Sequence, residues 1–259
     1  MTTQSVLSAR DDPQSASRDL PDPVSLRDDE TESDLGYHSG YREPIGIADQ
    51  IDILRGHWPG LNPDRAIRYY RTVYPGLSIP RRQAEGPFAI IRPGFFSDRY
   101  EEELEAVFGA IAHDTGGRFA NYRAHQLGLG YLHRNERALE QFCALVEQQT
   151  GSDVIIAPAQ FGLRFRGRSA FRARRRFTNG EFGPGAREVG MMLLTNMTRL
   201  RNDNDLWIDC PGDDVAPSPG LKLNRVPRFR YIVNRIILSA HWVDVPEAHS
   251  GSASFFLAQ

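Results

Sequence analysis

Apolar residues change their spacing near residue 150, and that change limits the folds open to the chain. Before it they recur at helical intervals. Asn62-Pro63 reads as a cap followed by a first-turn proline, and Ile67, Tyr70, Val73 and Tyr74 keep helical spacing until Pro75-Gly76. Phe88 to Ile91 reads as a short strand. Ser97 then caps a helix with Asp98, Glu101, Glu102 and Glu103 in its opening turns and Tyr100, Leu104, Val107, Phe108 and Ile111 on one face. Asn135 opens another helix, with Leu139, Phe142, Cys143 and Val146 inward and Gly151 beyond its end. After residue 150 the pattern turns to strands. Val154 to Ala157 is a buried run, Phe161 to Arg168 alternates, and Leu206 to Cys210 is a third candidate. Phe229 to Val233 and Ile236 to Trp242 flank Asn234-Arg235 as a hairpin, and Ala253 to Leu257 closes the sheet. Residues 186–200 fit either a helix or a buried strand. The pattern predicts an α+β fold with a helical N-terminal half and a sheet-rich C-terminal half, a jelly roll being one arrangement open to that half.

Composition sets the boundaries of the folded part. Residues 1–36 hold nine acidic side chains against Arg10, Arg18 and Arg27, a local charge of -6. With no apolar period to offset its ordering entropy, this stretch is expected to be disordered, and an acidic tail is assigned to 1–44 ahead of one domain over 45–259. The whole chain carries -2, which excludes a polycation, and its 40% hydrophobic and 25% charged residues are those of a globular protein. Cys143 and Cys210 are too few for a disulfide framework or a four-thiolate zinc site and read as buried thiols. No apolar core of a secretory signal follows the first charges. The longest uncharged apolar run, Val189 to Met197, is well short of the ~18–20 residues of a membrane span. A cytoplasmic protein without membrane contact is expected, with signal-independent secretion left open.

The sharpest local feature is a run of arginines. Arg164, Arg166, Arg168, Arg172, Arg174, Arg175 and Arg176 fall within thirteen residues that hold no acid. Guanidinium forks match phosphate oxygens, so the run is a candidate anion-binding surface for an anionic ligand, an acidic partner or nucleic acid. On a strand from Phe161 to Arg168, Arg164, Arg166 and Arg168 share one face. Asp205 and Asp209, which share one face of a strand, offer internal pairing as the alternative.

Other constellations point less sharply to chemistry. Gly162 to Ser169 has P-loop spacing with Arg168 in the lysine position, and Leu206-Trp207-Ile208-Asp209 resembles a Walker B strand. Leu163 and Phe165 are bulky for a phosphate cradle, and a guanidinium does not replace an ammonium there. The histidines are His38, His57, His113, His125, His133, His241 and His249; none forms an HExxH pair, and His125, His133 and His241 meet only through folding. His113-Asp114 sits at a helix end, where an imidazolium meets the negative end of the dipole. The acids Asp203, Asp205, Asp209, Asp213 and Asp214 lack an EF-hand pattern. No metal ligand set and no cofactor are assigned. Ser250-Gly251-Ser252-Ala253-Ser254 lacks the second glycine of a nucleophile elbow.

Two resemblances add to this reading. Phe88-Ala89-Ile90-Ile91, then Pro93-Gly94-Phe95-Phe96-Ser97 and an acidic helix, resemble the entry to the iron- and 2-oxoglutarate-dependent oxygenases, which implies helices before a jelly-roll sheet; no histidine here starts their His-x-Asp/Glu triad. Pro158 to Arg164, Gly167-Arg168-Ser169, Leu206 to Cys210 with Gly212-Asp213, and Gly251 to Ser254 resemble a family of bacterial proteins, which implies bacterial origin and no particular catalysis. The leading expectation is a binding or interaction module that uses the arginine face. The alternative is an enzyme acting on a phosphorylated or nucleotide substrate, or a divergent oxygenase of the 2-oxoglutarate type. Oligomeric state is left open.

Overall fold

The first half supplies helices because its apolar spacing is helical. A computed structural model describes residues 30–78 and 83–257. Its helices are α1 (Ile47–His57), α2 (Asp64–Thr72), α3 (Tyr100–Asp114), α4 (Glu136–Glu147), α5 (Ala170–Arg176) and α6 (Ala186–Thr195). The strands are β1 (Gly86–Ile91), β2 (Phe119–Asn121), β3 (Leu132–Arg134), β4 (Val154–Gln160), β5 (Glu181–Phe182), β6 (Trp207–Asp209), β7 (Asp213–Val215), β8 (Arg225–Ile232), β9 (Arg235–Trp242), β10 (Ser250–Ser252) and β11 (Ser254–Phe256). The fold is α+β, with most helices in the first half and the sheets weighted to the second. No described helix is long and apolar enough to cross a membrane.

One sheet has the order β1-β4-β11-β5, every pairing antiparallel. The other runs β10-β6-β8-β7-β3, with β9 pairing both β8 and β2. β6 pairs β10, and β2 pairs β9, in parallel, whereas a jelly roll is built from antiparallel Greek keys. The β8–β9 hairpin turns through Val233 and Asn234, both at positive φ, so its turn starts one residue earlier than the Asn234-Arg235 expected.

Helix α6 resolves the ambiguity at residues 186–200. All ten of its residues are buried, so the helix is enclosed by other elements on every side. It packs between α3 and β1. Gly190 permits that approach, since a Cβ there would lie 2.8 Å from Val107 Cγ1. Arg187 and Glu188 are wholly buried on this helix, which requires partners for both charges. Arg187 reaches Glu103 at 2.8 Å and donates to the carbonyls of Ile91 and Arg92. Glu188 pairs with Arg134 at 3.0 Å.

Three expectations change. Residues 161–168 are not a strand: β4 ends at Gln160, and Leu163–Phe165 form one 3-10 turn behind Gly162 at φ 131°. On α4 the inward side chains are Ala138, Phe142 and Leu145, while Leu139 and Cys143 are exposed. Residues 30–44, placed in the tail by composition, lie against the second half. Thr31 N donates to Gly167 O, Ser33 Oγ to Ala248 O, and Leu206 N to Gly36 O. The disorder expected of residues 1–29 falls outside the described residues.

Candidate functional site

The arginine run divides along its length because it occupies a turn and a helix. Arg164, in the 3-10 turn, pairs with buried Glu181 at 3.2 Å. Arg166 is exposed and donates to Leu35 O. Arg168 pairs with Glu30 at 2.9 Å and donates to Arg164 O; Arg172 reaches the same Glu30 carboxylate at 3.1 Å. The Arg168 guanidinium holds the Glu30 carboxyl below its usual range. Asp205 and Asp209 do not pair with this run. Asp205 caps the backbone at Arg201 and Asn202, and Asp209 takes Arg228 Nε at 2.6 Å on the neighbouring strand.

Helix α5 carries the rest. Ser169 caps it by accepting from Arg172 N, and its last turn presents Arg174, Arg175 and Arg176. Arg174 is fixed in place. Its Nε donates to Pro211 O, its Nη1 to Asp214 Oδ1 and its Nη2 to Asp213 O, at 2.8, 2.8 and 3.0 Å. Asn135 Nδ2 donates to the other Asp214 oxygen, tying α5 to the start of α4. Arg175 is exposed and leans on Phe171, its guanidinium carbon 5.6 Å from the ring centroid. Arg176 is exposed outside this cleft.

Between α4, α5 and β5 these residues border a cleft of about 530 Å³. Phe171, Phe177 and Phe182 supply apolar wall, Gly183 and Pro211 supply backbone, and Arg137, Arg174 and Arg175 supply charge. Phe177 stands edge-on to Phe165 at 5.3 Å and Phe182 to Phe255 at 5.8 Å, so both rings are held from behind. Glu181 borders the cleft with its charge already matched. It accepts from Ser254 Oγ, Thr178 N and Thr178 Oγ1 and pairs with Arg164. Among the described residues neither Arg137 nor Arg175 is in an ion pair, so the cleft presents two unneutralised guanidinium groups.

A buried polar cluster makes this wall rigid. The β3–β7 ladder sets Arg134 opposite Asp213 and His133 opposite Asp214. Asp213 accepts from Ala186 N at 2.7 Å and Tyr100 Oη at 2.8 Å, anchoring the N-terminus of α6. Burial raises the Asp213 carboxyl to about 6 despite nearby Arg134. Burial likewise pushes the Tyr100 phenol up. For Glu188, burial acts upward but Arg134 and Arg187 overcome it and hold the carboxyl below its ordinary range. Asp214, one residue from Asp213, is thereby delivered to Arg174.

The remaining candidates are not assembled. The segment with P-loop spacing lies against β10, and a Cβ on Gly162 would sit 2.5 Å from Gly251 O. Arg168 there faces Glu30, and Asp209 faces Arg228. His125, His133 and His241 form no metal-ligand grouping; His241 instead lies 3.7 Å from Glu247. Among the described residues the grouping of that kind is His57, His113 and Asp114. Of the arginine run, Arg174 and Arg175 border this cleft; Arg137, Phe177 and Phe182 lie outside the run, and only the packing of α4 and β5 against α5 places them beside it. Comparison with family models, with curated proteins and with solved structures gives no match to this chain.

Proposed function

We propose that this protein binds a small anionic ligand with an aromatic or apolar body in the cleft between α4 and α5. The observation that carries the reading is the pair of unneutralised guanidinium groups, Arg137 and Arg175, on a cleft walled by three phenylalanines. A phosphate, sulfonate or carboxylate accepts in-plane hydrogen bonds from such groups, and a ring lies against Phe171, Phe177 and Phe182. The volume falls in the ~300–1,000 Å³ range of small-molecule sites. Arg174, held by three acceptors, lends a fixed dipolar wall and no reorganisation cost. A concave cleft with aromatic walls favours a compact ligand over an extended nucleic-acid strand, which needs a stripe of charge. Two free cysteines, one of them exposed, fit a reducing, cytoplasmic setting.

The test is calorimetric titration of the full chain with 1-naphthyl phosphate, inorganic phosphate, 1-naphthol and a single-stranded oligonucleotide. The expected result is one equivalent of naphthyl phosphate bound more tightly than either half-molecule. Arg175→Ala and Arg137→Ala each weaken it by about 10–100-fold, the equivalent of one hydrogen bond to a charged group. Equal affinity for wild type and both variants, or tighter binding of the oligonucleotide that ignores these substitutions, overturns the reading.

A further inference from the structure

Two helices end at one point on the surface, far in sequence from each other and outside the cleft. α1 closes on His57, and α3 closes on His113 and Asp114. His57 Nε2 lies 3.0 Å from Asp114 Oδ2, and His113 Nδ1 lies 2.9 Å from Asp114 Oδ1. The two imidazoles stand edge to face, with centroids 5.6 Å apart. One nitrogen from each ring and one carboxylate oxygen all fall within 4.8 Å of one another. Metal–ligand bonds of ~2.0–2.2 Å in a tetrahedral zinc site leave ligand atoms ~3.3–3.6 Å apart, which these three side chains reach by small torsional adjustments.

The local field also favours a cation. Both helices end here, and the C-terminal end of a helix dipole carries about half a negative charge. Three basic side chains work against a cation here: Arg55 in the last turn of α1, and Arg118 and Arg201, which line one cleft with Asp114. Arg118 donates from Nε to Thr115 O at 2.9 Å. His57 is anchored by Trp58, whose ring centroid lies 5.5 Å away and packs on Phe96 at 4.8 Å. That support orients one ligand in advance, while His113, 80% exposed, leaves the outer side open to water.

We propose that His57, His113 and Asp114 bind one divalent first-row transition ion of the zinc class and thereby clamp the C-terminal ends of α1 and α3. Two imidazoles and a carboxylate suit zinc, iron(II), cobalt(II) and nickel(II), and select against magnesium and calcium, which take oxygen donors. Binding takes each ligating imidazole nitrogen in its unprotonated form and replaces the two ring contacts to Asp114 with bonds to the ion.

The full chain, stripped with chelator, is titrated with zinc chloride by calorimetry and with cobalt chloride by visible absorption. One saturable equivalent is expected, and it raises the unfolding midpoint by roughly 5–10 °C at a hundredfold excess over Kd. His113→Ala, an exposed position where folding is retained, weakens binding by at least ~10–100-fold, the loss that even an outer-shell partner brings. Asp114→Asn does the same, and His133→Ala changes nothing. Absence of saturable binding overturns the proposal. So does binding that His113→Ala leaves intact, or that His133→Ala weakens equally.

Discussion

Replacing Asp213 with Asn separates the cost of a buried charge from the value of its hydrogen bonds. Asp213 begins β7 with no exposed surface, and its carboxylate receives Ala186 N and Tyr100 Oη while Arg134 Nε stands 3.4 Å away. Burial raises its carboxyl from the ordinary 3.8 to about 6. The folded chain therefore holds this proton more tightly than the unfolded chain does. Its contribution is fully present below pH 3.8 and is lost as pH rises through about 6. At about 1.36 kcal/mol per pH unit the whole change is ~3 kcal/mol, of which ~2 kcal/mol falls between pH 4.5 and 7.5. Urea unfolding of wild type and Asp213→Asn across that range isolates the effect, because every other titrating group is common to both proteins. Wild-type stability minus variant stability should fall by ~2 kcal/mol as pH rises. A difference that stays flat, or that grows with pH because Arg134 dominates, refutes the reasoning.

Two further predictions concern packing and charge. Gly190→Ala places a methyl group against Val107 in a fully enclosed helix, costing ~1–3 kcal/mol in a urea midpoint, and Val107→Ala restores part of it; a neutral Gly190→Ala contradicts the close approach of α6 to α3. Glu30→Gln removes the carboxylate between Arg168 and Arg172, with a stability change of at most ~1 kcal/mol because the pair is exposed. Retention on immobilised heparin should increase at low salt and revert at high salt; retention unchanged at low salt contradicts masking of this face by Glu30.

Local signals carried the regular elements well. Asn135 does cap α4, its side chain accepting from Ala138 N, and Gly151 does follow at φ 75°. The β1, β4 and β11 runs fall where apolar residues cluster without charge, and β6 falls within the expected Leu206 to Cys210. Where the sequence misled, a longer-range contact decided. Phe161 to Arg168 alternates as a strand should, but Gly162 must approach the Gly251 backbone, and its φ of 131° ends the strand. Tyr37 and Tyr41, both bonded to half-buried Glu85, draw the expected tail onto the fold, and Tyr37 also accepts from Leu163 N. The charge balance of residues 30–44 gives no hint of those contacts. Within the arginine run, spacing alone does not reveal which guanidinium groups find Glu30, Glu181 or Asp214. Glu30 and Asp214 lie on segments remote in sequence, and Glu181, just past the run, reaches back to Arg164 only through the fold.

The claim that the α4–α5 cleft is the binding site is tested most directly by amide chemical-shift mapping of the full chain during titration with 1-naphthyl phosphate. The account predicts saturable shifts concentrated at Arg137 and Ala138, at Phe171 to Phe177, and at Phe182 and Gly183, which in Arg175→Ala need about 10–100-fold more ligand. Saturable shifts centred elsewhere on the molecule, or no shifts at all, contradict it.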